Sequence, residues 1–208
     1  MILSSLFEEC LRAPYIHTED GGDFALKKRD GILYIFLEDS DGAEDWRSNL
    51  NFPAKAYARK GDTVFYAHRG FLKVWESLLP HIEGAVHDGS LKSIVTVGYS
   101  HGGGLAALCH EYVWHEREDL RESILGYGFG APRVMWGLLS PSLKKRWAHF
   151  TVVRNIDDPV THLPPAFLGY CHVGGLIEIG EGGKYPSIDA HRPENILTEL
   201  KKYEARQL

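Results

Sequence analysis

The chain has 208 residues, of which 44% are hydrophobic and 25% are charged, a balance typical of a soluble globular protein, and we predict a single domain over residues 1–208. A formal net charge of −5 and the scattered placing of 23 basic residues argue against nucleic-acid binding, which requires a basic stripe. No apolar run approaches the roughly 20 residues of a membrane span, so stable membrane insertion is not expected.

Strands and helices are predicted to alternate along the chain. Residues 2–11 have the apolar spacing of a short helix, and residues 24–28 and 32–37 indicate two strands joined by an Asp-Gly hairpin turn. Pro80 is expected to end or kink the helix predicted at residues 70–86. The remaining strands are predicted at residues 63–67, 93–99, 123–129, 150–154 and 173–179, and the remaining helices at residues 70–86, 105–114, 141–147 and 193–203. This alternation predicts an α/β fold with a mainly parallel central sheet and helices on both faces.

The junction between strand 93–99 and the helix that follows it carries the clearest chemical motif. Residues 98–102 are Gly-Tyr-Ser-His-Gly, a Gly-x-Ser-x-Gly pentapeptide. A tight strand-to-helix turn holds the serine hydroxyl above the sheet, and it requires flanking glycines because a Cβ would collide with the neighbouring backbone. Ser100 is therefore the candidate nucleophile. A phosphate-binding loop is the weaker interpretation, since neither Gly-x-Gly-x-x-Gly nor a P-loop lysine accompanies the motif.

The partners of such a serine follow it in the order acid, then histidine. Asp157 and Asp158 both follow the strand predicted at 150–154, and spacing does not choose between them. Three histidines come later. His162 is too near the aspartates, His172 directly precedes a predicted strand and favours a structural role, and His191 lies between that strand and the last helix. His191 is therefore the predicted base.

The sequence resembles the class 3 lipases, the fungal-lipase-like branch of the α/β-hydrolases, from about residue 33 to about residue 193. Six blocks in the family's order carry the resemblance: residues 45–52, 68–72, 98–103, 129–134, 158–165 and 172–174. The resemblance implies a lipase or esterase that acts on acylglycerols through an acyl-serine intermediate, with an ester or lipid as substrate and with no metal or organic cofactor. A short-chain or aryl (feruloyl-type) esterase is the alternative, and a non-catalytic lipid-binding member of the fold is the rival from another class.

The resemblance also implies roles for individual residues. It places the acid on Asp158, because the family's aspartate directly precedes a run that ends in Leu-Pro-Pro. Counting back from Trp46, the family's hydroxyl residue matches Ser40. Ser40 and the backbone N–H of His101 are then the expected oxyanion donors.

A lid is expected at residues 41–51, where the family's lids lie, with Trp46 and Tyr99 as the candidate substrate-binding side chains. Here the Arg-Gly pair that precedes the family's hydroxyl residue is Glu38-Asp39, so the segment is markedly acidic. We interpret this acidity as a solvated loop rather than a calcium site, because the rest of an EF-hand pattern is missing.

The cysteines and the first residues favour a cytoplasmic protein. Cys10, Cys109 and Cys171 form neither an even disulfide framework nor a metal-binding spacing, which favours reduced thiols. The first ten residues have no basic leader and turn acidic at Glu8, so no secretory signal is visible. A sequence deprived of its leader would look the same, in which case secretion is expected instead.

Overall fold

Strands and helices alternate along the chain. The computed structural model describes residues 2–18, 22–38, 53–57, 64–183 and 185–207. The strands are β1 Ile16–His17, β2 Asp23–Arg29, β3 Ile32–Glu38, β4 Ala54–Tyr57, β5 Phe65–His68, β6 Ser93–Tyr99, β7 Ile124–Phe129, β8 Met135–Trp136, β9 Phe150–Asn155, β10 Tyr170–Cys171 and β11 Gly175–Ile179. The α-helices are α1 Leu3–Leu11, α2 Arg69–Val86, α3 His101–Glu116, α4 Pro141–Lys144 and α5 Pro193–Ala205.

Within these residues, seven strands form the central sheet in the order β1-β2-β3-β6-β7-β9-β11. The pairs β1–β2 and β2–β3 are antiparallel, and the pairs from β3 to β11 are parallel. Helices α2 and α3 contribute to the apolar core on one face, and α1 and α5 contribute to the core on the other. The predicted mainly parallel sheet with helices on both faces is confirmed.

A second sheet was not predicted. In the described part of the chain it has four antiparallel strands in the order β10-β8-β5-β4. Its inner side chains Phe65 and Met135 are buried, and Phe65 contacts Trp147 edge-on at 5.7 Å between ring centroids. Strands β8 and β10 have two residues each, which is too short for an alternating pattern to be recognised.

Pro80 was expected to end or kink its helix, but helix α2 does not end there. It runs on to Val86. Pro80 lies on the exposed side of the helix, and the flanking residues Leu78 and Ile82 are fully buried in the core. Burial of this apolar stripe outweighs the hydrogen bond that a proline removes from the interior of a helix.

The first turn of α3 lies in direct contact with the sheet. A Cβ on Gly98 would lie 2.0 Å from the carbonyl oxygen of Gly102, and a Cβ on Gly102 would lie 2.0 Å from that of Leu37. Both distances are far below van der Waals contact. The two glycines of the Gly-x-Ser-x-Gly motif are therefore required by the packing of helix on strand, as the sequence predicts.

Two glycine-to-alanine variants separate this packing requirement from ordinary helix propensity. Gly102→Ala should lower the free energy of unfolding by about 1–3 kcal/mol or more, because backbone atoms block the new Cβ. Gly84→Ala, inside α2 and with no atom within 4 Å of its Cβ position, should raise it by about 0.5–1 kcal/mol. Urea unfolding measures both values, and equal effects from the two variants would contradict the role given to Gly102.

Candidate active site

Ser100 occupies the sharp turn between β6 and α3. Its backbone has φ 53° and ψ −122°, a conformation that L-residues rarely adopt and that stores about 1–3 kcal/mol of strain. Two backbone hydrogen bonds hold the turn: Ser100 N donates to Phe129 O at 2.9 Å, and Gly103 N donates to Ser100 O at 3.0 Å. The serine is thus fixed at the carboxyl edge of the parallel strands.

The structure brings Ser100, His191 and Asp158 together, although they are far apart in sequence. The Oγ atom of Ser100 lies 2.8 Å from Nε2 of His191, and Oδ2 of Asp158 lies 2.7 Å from Nδ1. An ionised carboxylate only accepts hydrogen bonds, so Nδ1 carries the proton and Nε2 accepts from the hydroxyl. In this tautomer the imidazole can take the serine proton, which is the geometry required to activate a hydroxyl nucleophile.

Asp158 is fully buried, and both of its carboxylate oxygens are hydrogen-bonded. Its Oδ1 accepts from the backbone N–H of Val160 at 2.8 Å, while Oδ2 faces His191. Thr161 Oγ1 donates to the carbonyl oxygen of Asp158 at 2.9 Å. Asp157 is only half-buried, and no hydrogen bond joins it to His191 among the described residues. The geometry therefore favours Asp158 over its neighbour.

His191 is the last residue of a 3₁₀ turn, Ile188–His191, between β11 and α5. Its ring lies beside Gly130, which has φ +58° and where a Cβ would lie 3.1 Å from Cε1 of the imidazole. His172 lies elsewhere: its Nε2 is 2.8 Å from the carbonyl oxygen of Thr161, and burial lowers the pKa of His172 to about 4. A neutral His172 therefore supports the backbone beside Asp158. The proximity of Gly130 to His191 could not be predicted from the sequence.

His101, an expected oxyanion donor, is the first residue of α3 and is buried. Its ring stacks on Phe71 with centroids 4.1 Å apart. Its backbone N–H lies in the first helical turn, where the helix dipole gives partial positive charge. Ser40, Trp46 and the expected lid at 41–51 lie outside the described residues.

Tyr99, a candidate substrate-binding residue, lies against the imidazole of His191. The two ring centroids are 5.2 Å apart and the rings are inclined by 25°. Residues 92 positions apart in sequence share no periodicity, so no pattern could have indicated this contact. Among the described residues, no cluster of three His, Cys, Asp or Glu side chains could hold a metal ion.

Comparison with known proteins finds similarity to fungal lipases. A family model described as Lipase (class 3) matches residues 34–168. The chain is 31% identical over 147 residues to secreted mono- and diacylglycerol lipase 1 of Fusarium solani, and 30% identical over 148 residues to a lipase of Rhizomucor miehei. These matches cover 67% and 68% of this chain, but only 41% and 40% of the relatives. The chain thus spans about two fifths of the length of both relatives.

Solved structures agree with this result at the level of the fold. Lipase II from Rhizopus niveus superposes with a TM-score of 0.72 and 18% identity, over 85% of this chain and 77% of that structure. The predicted α/β-hydrolase fold is confirmed. None of the described helices is both long and apolar enough to cross a membrane.

The expected cytoplasmic location is wrong in the light of these comparisons, because the Fusarium solani relative is a secreted protein. The thiols misled the expectation for a physical reason. Burial raises the pKa of Cys10 to about 12 and also raises that of Cys109, so neither forms a reactive thiolate. Unpaired buried thiols are inert, and they do not report the redox state of a compartment.

The choice between the two aspartates can be tested by the reactivity of Ser100. Asp158→Asn should lower the rate at which a fluorophosphonate phosphonylates Ser100 by about 10⁴-fold, because an amide at this position holds the wrong imidazole tautomer. Asp157→Asn, the matched control, should stay within about twofold of the unaltered chain, since its carboxylate is outside the network. Both rates are measured by stopping the labelling reaction at successive times and determining the labelled fraction by intact-mass spectrometry. A larger loss in the Asp157 variant would exclude the assignment of Asp158.

Proposed function

The chain belongs to the class 3 lipase family, and from this premise we propose that it is a serine carboxylic ester hydrolase with Ser100 as its nucleophile, His191 as its base and Asp158 as its acid. One observation carries the proposal: the continuous hydrogen-bonded series from Ser100 through His191 to Asp158. Each of the three residues is at most 6% exposed. Exclusion of water strengthens the electrostatic interactions among them.

The proposed reaction begins when His191 Nε2 takes the Ser100 proton and Oγ attacks the ester carbonyl carbon. Asp158 stabilises the imidazolium that forms, and the leaving alcohol receives the proton from His191 as the acyl-serine is produced. Water, deprotonated by His191, then attacks the acyl carbonyl and releases the carboxylic acid. The proton returns to Ser100, so the cycle restores the starting state.

The negative charge on the tetrahedral intermediate needs donors at the oxyanion position. We assign this role to the backbone N–H of His101 and to Ser40. The position of His101 at the positive end of a 16-residue helix supports its part. Loss of one such donor typically raises the barrier by about 3–4 kcal/mol.

Acylglycerols are the proposed substrate class. The Fusarium solani relative is named a mono- and diacylglycerol lipase, and the Rhizomucor miehei relative is named a lipase. We propose that residues 41–51 form the lid, that Trp46 and Tyr99 take part in substrate binding, and that residues 1–208 form one domain. An extracellular site of action is proposed on the same ground as the substrate, since one relative is secreted.

Ser100→Ala should lower kcat for p-nitrophenyl butyrate by about 10⁶-fold, because it removes the hydroxyl that forms the acyl intermediate. Circular dichroism should show an unchanged fold. Ser90→Ala, at an exposed serine, serves as the control and should keep full activity. Turnover retained by the Ser100 variant would exclude its role, and failure of a fluorophosphonate to label the unaltered chain would favour the non-catalytic lipid-binding rival.

A series of p-nitrophenyl esters from acetate to palmitate, together with methyl ferulate and emulsified monoacylglycerol and diacylglycerol, tests the substrate class. We expect kcat/KM to be sustained from butyrate upward and both acylglycerols to be cleaved. A maximum at acetate, or a preference for methyl ferulate, would instead assign the chain to the short-chain or aryl esterases.

A further inference from the structure

Two consecutive residues of the Ser100 turn bind His191, one at its backbone carbonyl and the other at its imidazole. The phenol O–H of Tyr99 donates to the backbone carbonyl oxygen of His191 at 2.6 Å, and the tyrosine ring stacks on the imidazole. Ser100 meets the same imidazole at Nε2. The main chain and the side chain of His191 are therefore both tied to the end of β6.

The phenol of Tyr99 is itself held in place. Phe7, fully buried on α1, meets the Tyr99 ring edge-on with centroids 5.6 Å apart, and it packs on Phe129 of β7 at 4.6 Å. An aromatic side chain has few rotamers, and the contact with Phe7 restricts that of Tyr99 further. The position of the Tyr99 hydroxyl is thus set by the sheet and by α1, not by the connection that carries His191.

That connection is tied to other parts of the fold: Ser187 N donates to the carbonyl oxygen of Asp157 at 3.0 Å, and Tyr99 donates to that of His191 at 2.6 Å. Between β11 and the 3₁₀ turn it contains Gly180, Gly182 and Gly183, all at positive φ, and glycine restrains the backbone less than any other residue. Inside the turn, Ala190 N donates to Ser187 O at 3.0 Å. The bond from Tyr99 joins this segment to the rigid strand that also carries the nucleophile.

We propose that Tyr99 is a positioning residue, whose phenol O–H fixes the main chain of His191 and thereby the distance from His191 Nε2 to Ser100 Oγ during turnover. This inference rests on the proposed ester hydrolysis. Its physical basis is the steep dependence of proton transfer on geometry, since a displacement of about 1 Å in a reacting group can lower the rate by about 100-fold. In this role the hydroxyl acts on the base through the backbone.

Tyr99→Phe tests the proposal, because it deletes the donor and keeps the ring that contacts Phe7 and His191. The matched control is Tyr127→Phe. Tyr127 lies in the same apolar cluster, on the neighbouring strand β7, and no hydrogen bond joins it to His191 among the described residues. For both variants, kcat and KM are measured with p-nitrophenyl butyrate per active site titrated by fluorophosphonate, together with the rate of that labelling and the thermal midpoint.

We expect Tyr99→Phe to lower kcat and the labelling rate in parallel, each by about 10- to 100-fold, with KM within about twofold and a midpoint about 2–6 °C lower. Tyr127→Phe should leave kcat and the labelling rate unchanged. A purely structural role for Tyr99 would reduce the number of titrated sites and leave kcat per site intact.

Three results would overturn the proposal. Tyr99→Phe could keep kcat per site within about twofold, the control could lose as much as the test variant, or Tyr99→Phe could fail to fold, which would make the hydroxyl a determinant of folding. If the unaltered chain neither labels nor turns over, the proposed function itself fails. The behaviour of the unaltered chain therefore distinguishes the two failures.

Discussion

The close approach of helix α3 to the central sheet is the constraint on which the site depends. The helix begins so near to β3 and β6 that neither Gly98 nor Gly102 has room for a Cβ. A chain that leaves a strand and enters a helix at this distance must turn sharply at the residue between them. Ser100 accepts that turn at φ 53°, and the backbone bonds to Phe129 and Gly103 hold it there. Strain in one residue is thus balanced by the packing of a whole helix.

The same turn sets the surroundings of the hydroxyl. Because α3 starts one residue after Ser100, the partial positive charge of the helix terminus lies beside the serine. Because side chains alternate along a strand, Tyr99 points to the same face as Val95 and Val97, the face that carries α1 and α5 and at which the segment with His191 arrives. The nucleophile and the anchor of the base are therefore adjacent in sequence as a consequence of the strand-to-helix geometry.

The sequence was most informative where a pattern is long or where local sterics permit few residues. Strand β6 has the predicted bounds, since seven residues rich in β-branched side chains mark a strand buried on both faces. The turn at Asp30 and Gly31 has positive φ at both residues, as an Asp-Gly hairpin requires. The two-residue strands β8 and β10 form through pairing with distant segments, so their local sequence does not predict them.

Prediction of the site was likewise limited by contacts between residues that are distant in sequence. Spacing left Asp157 and Asp158 equal, because both occupy the right loop. The family resemblance favoured Asp158, and in the structure the hydrogen bonds of Asp158 distinguish it from its neighbour. The contact of Tyr99 with His191 joins two segments whose proximity depends on the complete sheet. Such contacts belong to the tertiary structure, and they cannot be read from a single sequence.

The burial of Asp158 links the arrangement of the site to the stability of the fold. A carboxylate removed from water costs several kcal/mol unless donors replace its hydration, and here a backbone N–H and an imidazole N–H do so. The segment that ends at His191 must dock for the second donor to be present. Docking also places Nε2 against Ser100. The hydrogen bonds that the buried carboxylate requires therefore favour the arrangement of the proposed triad.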